Sequence, residues 1–181
     1  GEKKVRKIFI GCLLALCSIT GMAAENNWVG SIEYLYHHDQ ADGFDVEVGA
    51  LVGSVGYKIL LGDSFYVIPE VRLGVGVVDD NVSIYGVETY VELDTFFAVE
   101  VRGQYELENG VHLFVAPTLA EARVSGSTSF GGENLTISGG SWSFGAVAGI
   151  GYKLFERASA ELAYKNIDGA DIYGVGLRFG F

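Results

Sequence analysis

The chain has 181 residues, with 12 Lys+Arg against 23 Asp+Glu, a net charge of −11, 26 glycines and 2 prolines. So acidic a chain is a poor partner for nucleic acid, and its length suits one domain. No stretch reads as collagen or as a disordered linker.

Lys3, Lys4, Arg6 and Lys7 make a basic start, and residues 8–19 form an apolar run. That run has the length of a signal-peptide core and is too short for a spanning helix. Residues 1–24 are therefore expected to be a signal peptide, cleaved near Ala23 or Ala24, and residues 25–181 the mature domain. Both cysteines, Cys12 and Cys17, fall inside the first segment, so no disulfide is expected in a protein exported through an oxidising compartment. Without residues 1–24 the chain keeps 8 Lys+Arg and 22 Asp+Glu, a net charge of −14.

The rest alternates with a period of two and shows no sustained helical period. Eight strands are predicted, at about 27–36, 44–58, 65–78, 87–105, 111–123, 141–154, 158–166 and 171–181. On the second, the apolar face is read as Phe44, Val46, Val48, Ala50 and Val52. On the fourth it is Val91, Leu93, Phe97, Val99, Val101 and Tyr105. Tight turns at 61–64, 107–110 and 155–157 alternate with longer or more polar connections at 37–43, 79–86, 122–140 and 167–170. That asymmetry places the tight turns in the periplasm and the longer loops outside.

Alternation alone cannot say which face is inside, and a soluble lipocalin-like barrel is the competitor. Three features favour a membrane. Aromatic residues gather near strand ends, with Trp28, Phe65, Tyr105 and Tyr152 toward one side and Tyr36, Phe44 and Trp142 toward the other, like two interfacial girdles. The opposite face is Gly, Ser and Ala with scattered charge, unlike the Lys/Glu-rich face of a soluble protein. Several strands exceed the usual length in globular sheets.

The signal segment, the stretches 144–153 and 160–165, and the ending Tyr173-Gly-Val-Gly-Leu-Arg-Phe-Gly-Phe181 together resemble the small eight-stranded outer-membrane barrels of the OmpA/OmpX type. The resemblance implies an all-β, antiparallel, up-and-down transmembrane barrel in the outer membrane of a Gram-negative bacterium. It implies lipid and lipopolysaccharide as surroundings, and the barrel-assembly machinery as a partner that reads the terminal strand through Tyr173, Phe179 and Phe181. It does not imply one activity, since such barrels serve as adhesins, anchors, defence factors and enzymes.

By phase, Glu33, Glu70, Arg72, Glu92, Asp94, Glu100, Arg102, Glu161, Lys165 and Arg178 point inward. Opposite charges in a lumen just wide enough for side chains should pair, because unpaired buried charge is costly. A salt-bridge network closing the lumen is the expectation, against a charged ion path. Glu92 and Asp94, nearer the outside and without a basic partner, are the candidates for an outer vestibule. A lipid-modifying enzyme needs Ser, His and carboxylate together. His112 falls on the periplasmic side, whereas His37 and His38 fall in the first outer loop, so no catalytic residue is assigned. No cofactor or metal site is expected. The reading is a monomeric, non-catalytic barrel acting through its outer loops in surface interaction, with an extracellular or host ligand there, or in envelope structure. A narrow cation-preferring channel is the alternative and a lipid A-modifying enzyme the third.

Overall fold

The computed structural model of the chain describes residues 27–41, 44–78, 80–84, 87–130 and 133–181, and the backbone alone at 38–41, 44–47, 78, 80–84, 87–92, 124, 126–130 and 133–138. The expected signal segment lies outside the described residues.

Ten strand segments follow one another: β1 Trp28–Ala41, β2 Phe44–Tyr57, β3 Ile59–Leu60, β4 Phe65–Val78, β5 Asp80–Ile84, β6 Val87–Glu106, β7 Val111–Phe130, β8 Glu133–Phe155, β9 Ala158–Ile167 and β10 Ala170–Gly180. Every pairing is antiparallel, and each long strand pairs with the next along the chain. β10 returns to β1, from Val29↔Gly180 to His37↔Ile172. Eight staves therefore close a barrel, with β3 and β5 as short additions at its two ends. Closure leaves no free edge through the wall.

The alternation that marks the strands also sorts their side chains. Outward stand Trp28, Val55, Tyr57, Val71, Leu73, Val101, Val115, Phe144, Ile150, Leu162, Val175 and Leu177, all exposed. Inward stand small residues, charges and a smaller set of apolar side chains, among them Leu35, Val52, Phe96 and Phe114. An apolar belt outside and a polar, small-residue interior invert the soluble arrangement. Trp28, Phe65, Tyr105, Trp142 and Tyr152 are exposed on the belt, with Trp28 edge-on to Tyr57 and Trp142 edge-on to Phe97. Tyr36 shares the outward phase of Tyr34.

Three expectations change. First, β2 has the opposite phase to the one read from its apolar residues. Ala50 and Val52 are buried inside, and Leu51, Val55 and Tyr57 face out. Both faces of this strand are apolar, so alternation carried no sign. The register Ala41↔Phe44 follows Leu35↔Ala50 without a shift, which sets Phe44 on the inward phase rather than in the belt; its side chain is not described. Second, a register shift between Leu93 and Thr95 makes Asp94 an extra residue in β6. A bulge exchanges the two faces beyond it. Leu93 therefore packs inward against the core, and Asp94 is exposed. The same exchange moves Glu92 off the phase of Glu100, with its side chain outside the description.

Third, the connections expected to be long are mostly strand. β7 and β8 remain paired up to Phe130↔Glu133, β1 and β2 up to Ala41↔Phe44, and β5 pairs with β6. The β9–β10 connection is a two-residue turn in which Asp168 (φ 53°) and Gly169 (φ 83°) both take positive φ. That is a type I′ hairpin turn, the geometry that Asp-Gly favours. The barrel thus has a turn end, where Asn27, Phe181 and the tight turns lie, and a hairpin end.

Candidate functional site

Five staves, β1, β4, β6, β9 and β10, send charged side chains to the barrel axis in its turn-end half. Arg72 on β4 contacts Glu33, sits 3.5 Å from Glu70 and donates to Glu100 at 3.2 Å. Lys165 on β9 stands 3.0 Å from Glu33 and 3.8 Å from Glu100. Arg178 on β10 donates to Glu70 at 2.6 Å and to Glu161 at 2.9 Å. Arg102 on β6 grips Glu161 with both terminal nitrogens, at 2.6 and 2.9 Å. The structure thus brings together eight of the ten residues singled out by phase, all but Glu92 and Asp94. They form one continuous array of four carboxylates and four cations, neutral as a whole.

Neutrality matters because each ion has lost its water. Arg102 and Lys165 are at most 2% exposed. Two glycines make this packing possible. A Cβ on Gly174 would run into the Glu33 carboxyl, and one on Gly151 would run into the His112 ring. Arg102 also lies over the Phe114 ring, 3.5 Å from its centroid, a cation–π contact that strengthens when desolvated. Among the described residues, Arg72 Nε, Arg102 Nε, Gln104 Oε1 and Thr118 Oγ1 are buried without a hydrogen-bond partner.

Sequence reasoning missed two parts of the interior. His112 joins the array, with Nε2 2.9 Å from Glu161 Oε1. Its inward phase was legible, but not which carboxylate it would meet. Above the charges, toward the hairpin end, lies an apolar layer of Leu35, Ala50, Val52, Phe96, Ala98, Ala120 and Ile167, completed by Leu93 and Ile172. The β2 phase and the β6 bulge put Ala50, Val52 and Leu93 there, and neither could be read from alternation.

The free space fits this layering. At the turn end a mouth of about 900 Å³ is lined by Lys58, Glu106, Lys153 and Arg157, and it reaches His112 and Arg178. Beyond them a small cavity of about 10 Å³ lies among Ser31, Glu33, Arg72, Arg102 and Phe114. That is room for about one water. No three metal-binding side chains converge among the described residues.

The hairpin end differs in charge. The described residues of segments 37–47, 78–95, 121–140 and 166–171 carry eleven carboxylates and a single Lys or Arg, Arg123. Nearly all of the chain's net negative charge therefore belongs to this end.

No protein-family model matches the chain, and no curated protein matches it in sequence. Solved structures do match in fold. Ail, the attachment invasion locus protein of Yersinia pestis, superposes with a TM-score of 0.57 at 14% identity, over 87% of this chain and 98% of that one. Ail in complex with the heparin analogue sucrose octasulfate gives 0.55 at 15%, over 87% and 98%. Neisserial surface protein A gives 0.53 at 12%, over 86% and 97%. OprG from Pseudomonas aeruginosa gives 0.52 at 12%, over 85% and 94%. The chain has the fold of the small eight-stranded outer-membrane barrels. At such identity the likeness speaks for the fold alone.

Proposed function

We propose that the chain is a monomeric, non-catalytic protein of the bacterial outer membrane, exported by its signal peptide, that works through its hairpin end in surface interaction or envelope structure. One observation carries this reading: the interior is filled by a neutral charge array capped by an apolar layer. An ion crossing it would exchange its water for Val52, Ala98 and Ala120, which offer no polar group. The array then serves as a structural plug, and activity is left to the surface. The exposed belt suits contact with lipid and lipopolysaccharide, and Phe179 and Phe181 suit recognition by the assembly machinery.

Catalysis finds no support. His112 has its carboxylate, Glu161, but among the described residues no hydroxyl is seen bonded to either. Ser143 instead donates to Asp168 at the far end. The second reading, a narrow cation-preferring channel, is favoured by the charged mouth at the turn end. It must contend with the apolar layer. The heparin analogue held by Ail is no guide to the ligand here, because the eleven carboxylates of the hairpin end would repel a polysulfated sugar.

Recording from the refolded full chain in a planar bilayer tests the reading. No steady conductance is expected. A large, cation-selective conductance would replace the plug with the channel.

A further inference from the structure

The turn-end mouth carries charges that the plug beneath it does not use. Of the ionic side chains that line it, Lys58 is held by Glu106, and Arg178 gives all three nitrogens to Glu70 and Glu161. Lys153, Arg157, Glu108 and Glu156 line it too, and among the described residues they have no ion-pair partner. The rim therefore presents two free cations and two free carboxylates.

The ladders sort these groups into two sectors. Lys153 on β8 pairs with Ser159 on β9, and Ser159 pairs with Arg178 on β10. An ammonium, a hydroxyl and a guanidinium thus stand side by side on three neighbouring strands, their backbones within about 10 Å, and Arg157 precedes Ser159 on the β8–β9 turn. This sector offers donors. The next one offers acceptors. Glu108 lies on the β6–β7 turn, and His112 follows at the start of β7. His112 is only 5% exposed, yet its side chain lines the mouth. Its Nε2 lies 2.9 Å from Glu161, and among the described residues its Nδ1 has no partner. A carboxylate accepts, so Nε2 carries the proton, and Nδ1 of the neutral ring is left as an acceptor.

We propose that the mouth is a binding site for a small zwitterion, a phosphate ester that also carries an ammonium group. The phosphate sits on Lys153, Ser159 and Arg157, and the ammonium meets His112 Nδ1 and Glu108. Three donor side chains around one point exceed what the two oxygens of a carboxylate accept, whereas a phosphate monoester offers three. The sectors are two strand spacings apart, about 10 Å between the backbones of β7 and β9. An α-amino acid, whose two charges share one carbon, is too short to bridge them. A rim with as many free carboxylates as free cations gives a bare anion or a bare cation little advantage. The mouth, at about 900 Å³, has the size of a small-ligand site. Binding there needs no passage through the array and does not depend on the surface-interaction reading, which concerns the opposite end.

The test uses the full chain refolded in a nonionic, phosphate-free detergent. O-phosphoethanolamine and glycerophosphoethanolamine are the probes; glycerol 3-phosphate, ethanolamine and glycine are the comparisons. At least one probe should bind saturably with a dissociation constant of roughly 1 mM or below, and each comparison at least about threefold more weakly. Tighter binding of glycerophosphoethanolamine assigns the site to a lipid headgroup, and tighter binding of the monoester to a soluble ester. On saturation the imidazole NMR signals of His112 should move, while those of His37, at the hairpin end, stay in place. Lys153→Gln combined with Arg157→Gln should weaken binding roughly tenfold. Glu108→Gln should weaken the probes but not glycerol 3-phosphate. These side chains have no ion pair to lose, so the unfolding midpoint should hold in each variant, and Arg123→Gln should leave binding unchanged. Absence of saturable binding up to about 10 mM would overturn the proposal, as would binding unaltered by the double change, equal binding of glycine or glycerol 3-phosphate, or movement of His37 in place of His112.

Discussion

Arg102→Ala is the most demanding test of the interior. The wild-type guanidinium makes two hydrogen bonds to Glu161, at 2.6 and 2.9 Å, and lies over Phe114. Removing one member of a buried ion pair costs about 3–5 kcal/mol. Glu161 keeps Arg178 and His112 as partners, which argues for the lower end of that range. The lost contact with Phe114 adds about 1–2 kcal/mol. A total near 4 kcal/mol, divided by a urea dependence of about 2 kcal/mol per molar, moves the unfolding midpoint down by about 2 M. Equilibrium unfolding of the refolded protein in lipid or detergent, followed by Trp28 and Trp142 fluorescence, reads it directly. The double change Arg102→Met with Glu161→Gln restores neutrality and should recover part of the loss. Arg123→Ala, an exposed ion pair at the hairpin end, should shift the midpoint far less. If Arg102→Ala stayed within about 0.5 kcal/mol of wild type, the array would not be a structural plug and the argument from desolvated charge would be wrong.

Other outcomes follow from the same geometry. Cysteines at Ser127 or Asp80 should react with an impermeant thiol reagent on intact cells, and one at Asn109 should not; the reverse pattern would invert the topology. Gly151→Val puts side-chain atoms where the His112 ring lies and should destabilise by about 1–3 kcal/mol; an unchanged midpoint would mean that the ring has somewhere else to go. Phe181 bonds through its N–H to Trp28 O at 3.0 Å, and its ring lies against Gly30, so deleting it removes contacts across the closing seam. The heat-modifiable folded band on gels should weaken, and a normal yield would make the terminal aromatic incidental.

Alternation along the chain was enough to reveal a barrel and its eight staves, because a side-chain period of two with one apolar face has few other ways to be buried. It also picked out the eight inward charges, since a charge on the phase of Gly and Ser has only the lumen to enter, but it set Glu92 and Asp94 beside them, and Asp94 is exposed. The sequence could not order those charges into pairs. That Glu161 meets Arg102, Arg178 and His112 depends on the stagger between strands far apart in the chain. Nor could it see the Asp94 bulge or the phase of β2, because one inserted residue reverses every side chain beyond it and an apolar–apolar strand carries no sign. The Gly-, Ser- and Thr-rich stretch 122–140 read as a loop for want of apolar partners, yet its two arms pair with each other through the backbone. Backbone pairing leaves little trace in side-chain pattern. Only closure into a barrel brings His112, Lys153 and Ser159, which sit on three different strands, around one mouth.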